Sequence, residues 1–292
     1  MDILETFNFF DDYIDCMKTD FFSNLEMVLD NFDTNSIEES ELEIEKLFRD
    51  NYSRISYTEI PLGQNYYRAR IDCNHVKGTV TGIPIDVTFP FYDSDIGAPP
   101  TTSCKSGRFN RESFSYLYLA TSRETCVSEL KLDVGQVCSI AKFESIKSGN
   151  YIDLRNPELL SFMYCLNKIL LVPVHPDNKF IYYLTQTFSS VIKKLGYRGI
   201  IYPSSKNVEC EDFNIVSFYP EDFKYIKYSE KLFSIDKIEY SIKEKDESYK
   251  RYNDYEKDLI NYNEIEDNKR ESFFDYVQEK IDYEKEQKEN KS

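Results

Sequence analysis

The stretch from Gly107 to Glu129 constrains the fold more than any other part of this 292-residue chain. It opens with GRFN at 107–110, a turn sequence that carries a cation. Residues 115–120, SYLYLA, form an aromatic and apolar run of the kind that is typical of a buried strand. The stretch therefore predicts a strand that a turn precedes, with an arginine held close to it.

A helix is predicted directly after this strand. Thr121 or Ser122 is a plausible N-cap, and Glu124 lies where the acid of a capping box would be. The helix then runs to Glu129, which lies past the first turn, so capping does not account for it. A tyrosine on the strand, an arginine in the turn and Glu129 on the helix would meet in one small volume.

The net charge of −16 is distributed unevenly along the chain. Residues 1–60 carry 16 acidic and 4 basic side chains, and residues 229–292 carry 19 acidic and 13 basic ones. Residues 61–228 carry 17 acidic and 19 basic side chains, so this part alone suits an anionic small molecule. We predict an acidic helical extension at 1–60, a main domain at 61–228 and a charged helical tail at 229–292. The acidic flanks argue against nucleic acid as a partner.

Hydrophobic periodicity predicts a mixture of helices and strands. Spacings of three and four indicate helices over residues 1–50 with a break at 33–40. We expect them to pack on the main domain and cover apolar area, and a partner or regulatory surface is the alternative. Glycines and prolines predict a long irregular region between 78 and 100. Further elements are predicted as strands at 55–60, 66–71, 136–143, 151–154, 199–203 and 213–218, as helices at 157–171 and 180–195, and as amphipathic helices beyond 228.

The sequence indicates a cytoplasmic protein without a metal. Its seven cysteines are odd in number and have no CxxC spacing, so we expect reduced thiols. His75 and His175 lie a hundred positions apart, and neither has a second ligand at helical or hairpin spacing. The N-terminus is acidic where a signal peptide is basic, and no apolar run is long enough to span a membrane.

Several segments between residues 66 and 218 together resemble the RES domain, a family of NAD-degrading toxins. They keep the order and approximate spacing of the family: YYRAR at 66–70, IGAPP at 96–100, GRFN at 107–110, YLTQ at 183–186, GYRGIIYPSS at 196–205 and NIVSF at 214–218. The resemblance implies an α+β fold with a mixed, bent sheet similar to the ADP-ribosyltransferase-like architecture, with helical additions at both ends.

The resemblance also implies an activity. Members cleave NAD+ between nicotinamide and ribose, with inorganic phosphate or water as the acceptor, and act as bacterial toxins that a cognate antitoxin blocks. NAD+ would be a substrate, and no prosthetic group would be needed. A homodimer is compatible with this reading. Two alternatives stay open: an ADP-ribosyltransferase that modifies a protein or other acceptor, and a non-enzymatic interaction scaffold.

The resemblance implies four catalytic residues, namely Arg68, Tyr118, Glu129 and Ser204. Cleavage passes through an oxocarbenium-like transition state, which a carboxylate such as Glu129 would stabilise. Its structural alternative is a surface glutamate paired with Lys131.

The remaining candidates would bind the dinucleotide. Arg108 would contact the diphosphate or an attacking phosphate, because guanidinium groups meet phosphate oxygens in bidentate geometry. Arg70 faces the same way as Arg68 on a strand and is the alternative arginine, as Ser205 is the alternative to Ser204. The amide residues Asn110 and Gln186 would contact the nicotinamide amide or ribose, and a structural role is about as plausible for both.

Overall fold

The computed structural model describes residues 36–81, 83–130, 132–155, 157–158, 161–171, 179–204 and 212–238. The helices predicted over 1–32 and those predicted beyond residue 238 lie outside these ranges. Within them, no helix combines the length and the apolar character that crossing a membrane requires.

The described part of the chain is an α+β structure, as the sequence predicts. Its helices are α1 (Ile37–Asp50), α2 (Arg123–Ser128), α3 (Phe162–Leu171) and α4 (Lys179–Lys194). Its strands are β1 (Tyr57–Ile60), β2 (Asn65–Ile71), β3 (Asn74–Val80), β4 (Ile83–Phe89), β5 (Leu117–Ala120), β6 (Val137–Ser145), β7 (Gly149–Asp153), β8 (Gly199–Pro203), β9 (Phe213–Ser217), β10 (Phe223–Tyr225) and β11 (Lys231–Ser234).

Nine of these strands form one mixed sheet. Its order is β1-β7-β8-β9-β5-β2-β6-β10, and β11 also pairs with β6. The pair β7–β8 is parallel and the other pairs in the sheet are antiparallel. Strand β11 pairs with β6 three residues beyond the predicted end of the main domain, so the sheet extends into the segment assigned to the tail.

The two faces of the sheet are covered differently. On one face, Ile200 and Val216 pack with apolar residues of α1, α3 and α4 in the largest core cluster. On the other face, Leu119 and Ile215 pack with Ile96 of the loop that joins β4 to β5. Because successive strand residues point to opposite faces, the alternation along β5, β8 and β9 fixes which side chains meet the helices.

Helix α1 begins earlier than predicted. The sequence suggests a break at 33–40, but Ser36 caps a helix that starts at Ile37. The Ser36 hydroxyl accepts a hydrogen bond from the Glu39 amide at 3.3 Å, and the Glu39 carboxylate accepts one from the Ser36 amide at 2.8 Å. This reciprocal capping box gives the polar stretch a defined helix start. The predicted packing of α1 is confirmed, because Phe48 is fully buried beside α3 and α4.

A buried carboxylate ties α1 to two other parts of the fold. Glu41 is 7 % exposed, and its two oxygens contact Lys194 of α4 at 2.5 Å and Arg111 at 3.3 Å. Arg111 also donates to the Thr187 hydroxyl of α4 at 3.1 Å. Since Arg111 directly follows the GRFN turn, α1 is connected to the turn that the sequence singles out.

The predicted irregular region between 78 and 100 is wrong for its first part. Strands β3 and β4 form a separate two-stranded antiparallel sheet, with Val76 opposite Val87 and Val80 opposite Ile83. Glycine and proline suggest breaks here, but an antiparallel ribbon with free edges tolerates both, since each strand has hydrogen bonds on one side only. Prolines and glycines were therefore poor markers of loop structure in this stretch.

Helix α4 ends close to the predicted residue, whereas helix α3 starts later than predicted. Helix α4 ends at Lys194, and Gly196 takes a positive φ of +93°, the conformation that terminates helices most easily with glycine. The predicted end of this helix at residue 195 is therefore confirmed to within one residue. Helix α3 starts at Phe162 rather than at the predicted 157, because the Ser161 hydroxyl accepts a hydrogen bond from the Tyr164 amide at 3.1 Å.

Candidate active site

Four neighbouring strands, β2, β5, β9 and β8, carry or adjoin the predicted catalytic residues. The register places Tyr67, Ala120, Asn214 and Tyr202 opposite one another across these strands. Strands β2 and β5 share only this single pair, so they separate beside it. Residues that are far apart in the sequence are thereby brought to one region of the sheet.

Arg68 lies where β2 and β5 separate. It is 9 % exposed, and its guanidinium donates to the backbone carbonyl of Ile96 at 2.8 Å and to that of Tyr118 at 3.0 Å. Burial, together with the nearby charge of Arg70, lowers the pKa of Arg68 to about 10, so it stays charged at neutral pH. Among the described residues, no acidic side chain pairs with it. A buried cation without a carboxylate attracts an anionic ligand.

Arg70 projects from the same face of β2, as strand parity predicts. Its guanidinium donates to the backbone carbonyl of Asp95 and lies 5.3 Å from the centre of the Phe91 ring. It is more exposed than Arg68, and both of these side-chain contacts are with the loop that joins β4 to β5. Of the two arginines, Arg68 is the one in contact with β5.

The Tyr118 hydroxyl is bound by the GRFN turn. It donates to the Asn110 side-chain oxygen at 2.9 Å and accepts a hydrogen bond from the Phe109 amide at 3.3 Å. Burial is the main reason that the pKa of Tyr118 is raised. A Cβ atom at Gly107 would lie 2.6 Å from the same Asn110 oxygen, so only glycine leaves room for this arrangement.

Two amide side chains hold the turn in shape. Gln186 of α4 donates to the Ser106 hydroxyl at 2.8 Å and to the Gly107 carbonyl at 2.7 Å. Asn110 is 4 % exposed and donates to the Lys105 carbonyl at 2.9 Å. Both amides thus satisfy polar groups of the protein, which favours the structural role over direct contact with a substrate.

Arg108 extends from the same turn toward α3. Its guanidinium donates to the Leu170 carbonyl at 3.0 Å, near the last turn of that helix. Its positive charge also acts on the Tyr202 hydroxyl, whose pKa burial raises and Arg108 lowers. Arg108 therefore lies within electrostatic reach of β8, the strand that ends at Pro203, directly before Ser204.

Glu129 lies at the C-terminal end of α2 and is exposed. One of its carboxylate oxygens accepts a hydrogen bond from the Asn214 side chain at 3.0 Å. Asn214 is 2 % exposed on β9, so the sheet fixes one end of this contact. The predicted alternative partner, Lys131, lies outside the described residues.

The cap of α2 differs from one part of the sequence prediction. Ser122 is the N-cap, and its hydroxyl accepts a hydrogen bond from the Thr125 amide at 3.1 Å. Glu124 is therefore the second helical residue and not the third, where the acid of a capping box lies. Helix α2 also ends at Ser128, one residue before Glu129.

Sequence reasoning missed Tyr202 and Asn214, which link the predicted residues. The Tyr202 ring lies 5.4 Å from the Phe109 ring, and Tyr202 lies opposite Asn214. Burial raises the pKa of Tyr202, and the charges of Tyr118 and Glu129 raise it further. Tyr202 therefore lies within electrostatic reach of Tyr118 and Glu129. Its strand parity with Ser204, two residues on, is the sequence signal that could have identified it.

Ser204 directly follows β8 and is 4 % exposed. The structure therefore places it at a strand end, as predicted, close in sequence to Tyr202. Ser205 lies outside the described residues. The structure connects Arg68, Tyr118, Tyr202, Asn214 and Glu129 through contacts or electrostatic effects.

Comparisons with known proteins bear on the family of the chain. No curated protein matches the chain. Among solved structures, the M. tuberculosis MbcT-MbcA toxin-antitoxin complex is similar at 12 % identity and a TM-score of 0.40, over 68 % of this chain and 94 % of that chain. The family model described as RES domain matches residues 87–237, which is more than half of the chain and includes Tyr118, Glu129 and Ser204, while Arg68 lies upstream. The chain belongs to the RES domain family.

Proposed function

We propose that this protein cleaves the bond between nicotinamide and ribose in NAD+. The bonding electrons move to the nicotinamide nitrogen, which loses its positive charge, and an oxygen of phosphate or water bonds to the anomeric carbon. The products are nicotinamide with ADP-ribose-1''-phosphate or with ADP-ribose. Membership of the RES family supports this reaction, and the geometry around Arg68 supports it further.

The observation that carries the proposal is the buried charge of Arg68. Its guanidinium is held by two backbone carbonyls and has no acidic partner among the described residues. Keeping such a charge out of water is costly, and a ligand with negative oxygens would offset that cost. The diphosphate of NAD+ is such a ligand, and a guanidinium matches its oxygens.

Whereas Arg68 would bind negative oxygens of the substrate, Glu129 would act on its positively charged part. Asn214 holds one carboxylate oxygen, and the other has no hydrogen-bond partner among the described residues. A carboxylate held in this way stabilises the positive charge that develops on the ribose as the bond breaks. The ring of Tyr202, which is partly buried and packs against the buried Phe109 ring, would offer an aromatic surface for the leaving nicotinamide.

We further propose phosphorolysis over hydrolysis, with Arg108 holding the attacking phosphate. In the cell such an enzyme would act as an intracellular toxin, and an antitoxin protein that covers the site would control it. The region 61–228 would supply the catalysis, and the acidic segments on either side of it would serve as accessory parts.

The test follows NAD+ loss by the full-length chain with and without inorganic phosphate, and identifies the products by mass spectrometry. Glu129→Gln should lower kcat by about a hundred- to thousandfold. Glu124 is an exposed glutamate on α2, and Glu124→Gln should leave kcat unchanged. Arg68→Ala should chiefly raise KM. As a matched control, Arg49→Ala changes an exposed arginine on α1.

Each outcome distinguishes the alternatives. ADP-ribose-1''-phosphate that forms only with phosphate supports phosphorolysis, and free ADP-ribose in both conditions supports hydrolysis. ADP-ribose found mainly on a protein or other acceptor would identify a transferase. If folded protein leaves NAD+ intact, the proposed activity is wrong.

A further inference from the structure

Three side chains with metal-binding atoms meet at the bend between β2 and β3, away from the candidate active site. They belong to Asp72, Cys73 and His75. The Cys73 sulfur lies 3.5 Å from His75 Nε2, and Asp72 Oδ1 lies 3.6 Å from the same nitrogen. All three ligand atoms lie within 4.8 Å of one another. Sequence spacing gave no sign of this group, because it follows neither helical nor hairpin spacing.

An unusual backbone conformation brings the three side chains together. Asp72 has a positive φ of +77°, which turns the chain sharply and is tolerated by aspartate better than by most residues. The backbone of Asp72 is hydrogen-bonded to β6 on both sides of its Cα atom: the Asp72 amide donates to the Val137 carbonyl at 2.9 Å, and the Ser139 hydroxyl donates to the Asp72 carbonyl at 2.8 Å. The side chains are therefore held by a rigid part of the fold.

Two of the three ligand separations are close to those around a tetrahedral zinc ion, and the third, between sulfur and oxygen, is at most 4.8 Å. With zinc at about 2.3 Å from sulfur, about 2.0 Å from nitrogen and about 2.1 Å from oxygen, tetrahedral angles separate sulfur and nitrogen by about 3.5 Å and nitrogen and oxygen by about 3.4 Å. The observed separations of 3.5 Å and 3.6 Å need little adjustment. A thiolate, an imidazole and a carboxylate together favour zinc over magnesium or calcium, which prefer oxygen ligands.

We propose that Asp72, Cys73 and His75 bind one Zn²⁺ ion, with water as the fourth ligand. The Cys73 thiol loses its proton to solvent as the zinc–sulfur bond forms. Asp72 directly follows β2 and lies four residues after Arg68, about 13 Å at the rise of a strand, so we assign the ion no part in the reaction. Its role is structural: it fixes the β2–β3 bend, and with it the position of the β3–β4 ribbon.

The test uses the full-length chain, first treated with a chelator and dialysed, and then titrated with Co²⁺ as a spectroscopic substitute for zinc. We expect one equivalent of Co²⁺ to produce a thiolate-to-cobalt charge-transfer band that Zn²⁺ then removes. Cys73→Ser should abolish the band. Asp72→Asn and His75→Ala should each weaken binding by at least tenfold, the loss that even an indirect ligand contact causes.

Two controls match these substitutions. Cys126→Ser removes another buried thiol, and Asp86→Asn removes an exposed carboxylate on β4. Both should bind Co²⁺ as the unchanged chain does. Zn²⁺ should also raise the Tm of the unchanged chain and of the controls, but not that of Cys73→Ser. A folded chain without a charge-transfer band, or one whose band survives Cys73→Ser, would overturn the proposal, as would weak binding at several sites that none of the three substitutions changes.

Discussion

Replacing Tyr118 by phenylalanine tests whether the tyrosine hydroxyl stabilises the folded protein, apart from any contact with a substrate. The hydroxyl donates to the Asn110 side chain and accepts from the Phe109 amide. Phenylalanine keeps the ring and removes both hydrogen bonds. The Asn110 oxygen and the Phe109 amide would then lose a partner in a part-buried site.

The size of the effect follows from these two contacts. A net hydrogen bond contributes about 0.5–1.5 kcal/mol, and a buried polar group left without a partner costs about 1–3 kcal/mol. We therefore expect the free energy of unfolding to fall by about 2 kcal/mol. For a domain of this size each kcal/mol lowers Tm by about 2–4 °C, so Tm should fall by about 4–8 °C.

The assay is thermal unfolding of Tyr118→Phe, Asn110→Ala and the double variant. Because the two side chains bond to each other, their effects should be non-additive by at least about 0.5 kcal/mol. Tyr116→Phe is the matched control: Tyr116 is 5 % exposed, and its hydroxyl has no hydrogen bond among the described residues. Tyr118→Phe with an unchanged Tm, or strictly additive effects, would refute the proposed anchoring of the turn.

Three further substitutions test the packing and the ion pairs of the fold. Gly199→Ala should prevent folding, visible as lost circular dichroism and aggregation, because the new methyl would overlap the Val216 carbonyl oxygen. Glu41→Gln should cost about 1–2 kcal/mol at pH 7, since it removes a carboxylate that pairs with two partly exposed cations. Burial raises the pKa of Glu41, but its hydrogen bonds and both cations outweigh burial and lower it. The native pairing therefore stabilises above pH 4.5 and is lost as the pH falls below that value, so a Tm series should show the two proteins converging in acid. Ser36→Ala should lower stability by about 1 kcal/mol in a urea titration, since it breaks the capping box with Glu39; equal midpoints would contradict that cap.

The sequence predicted those elements whose signals are local. The strand at 117–120 and its Ser122-capped helix were found because apolar content and cap residues act within a few positions. The end of α4 at Gly196 was found for the same reason, because glycine adopts a positive φ at little cost. The mixed sheet and the closeness of Tyr118 to Arg68 were predicted from the family resemblance and not from hydrophobic periodicity.

The parts that the sequence did not predict depend on contacts between distant segments. Asn214 supports Glu129 only because β9 lies beside β5, and nothing near Asn214 in the sequence indicates this. Asn110 was considered as a substrate ligand, but its amide bonds within the turn, a role that depends on where Tyr118 lies. The β3–β4 ribbon was missed because its glycines and prolines have the composition of a loop.

The position of β9 in the sheet has a consequence for biosynthesis. It lies between β5 and β8, yet the ribosome makes it after both. A nascent chain that stops before residue 213 has β5 and β8 without the strand that joins them, and it lacks Asn214, the residue that positions Glu129. Pairings between such distant strands also form slowly. On the proposed function, we expect a chain truncated before residue 213 to leave NAD+ uncleaved, because it lacks β9 and Asn214.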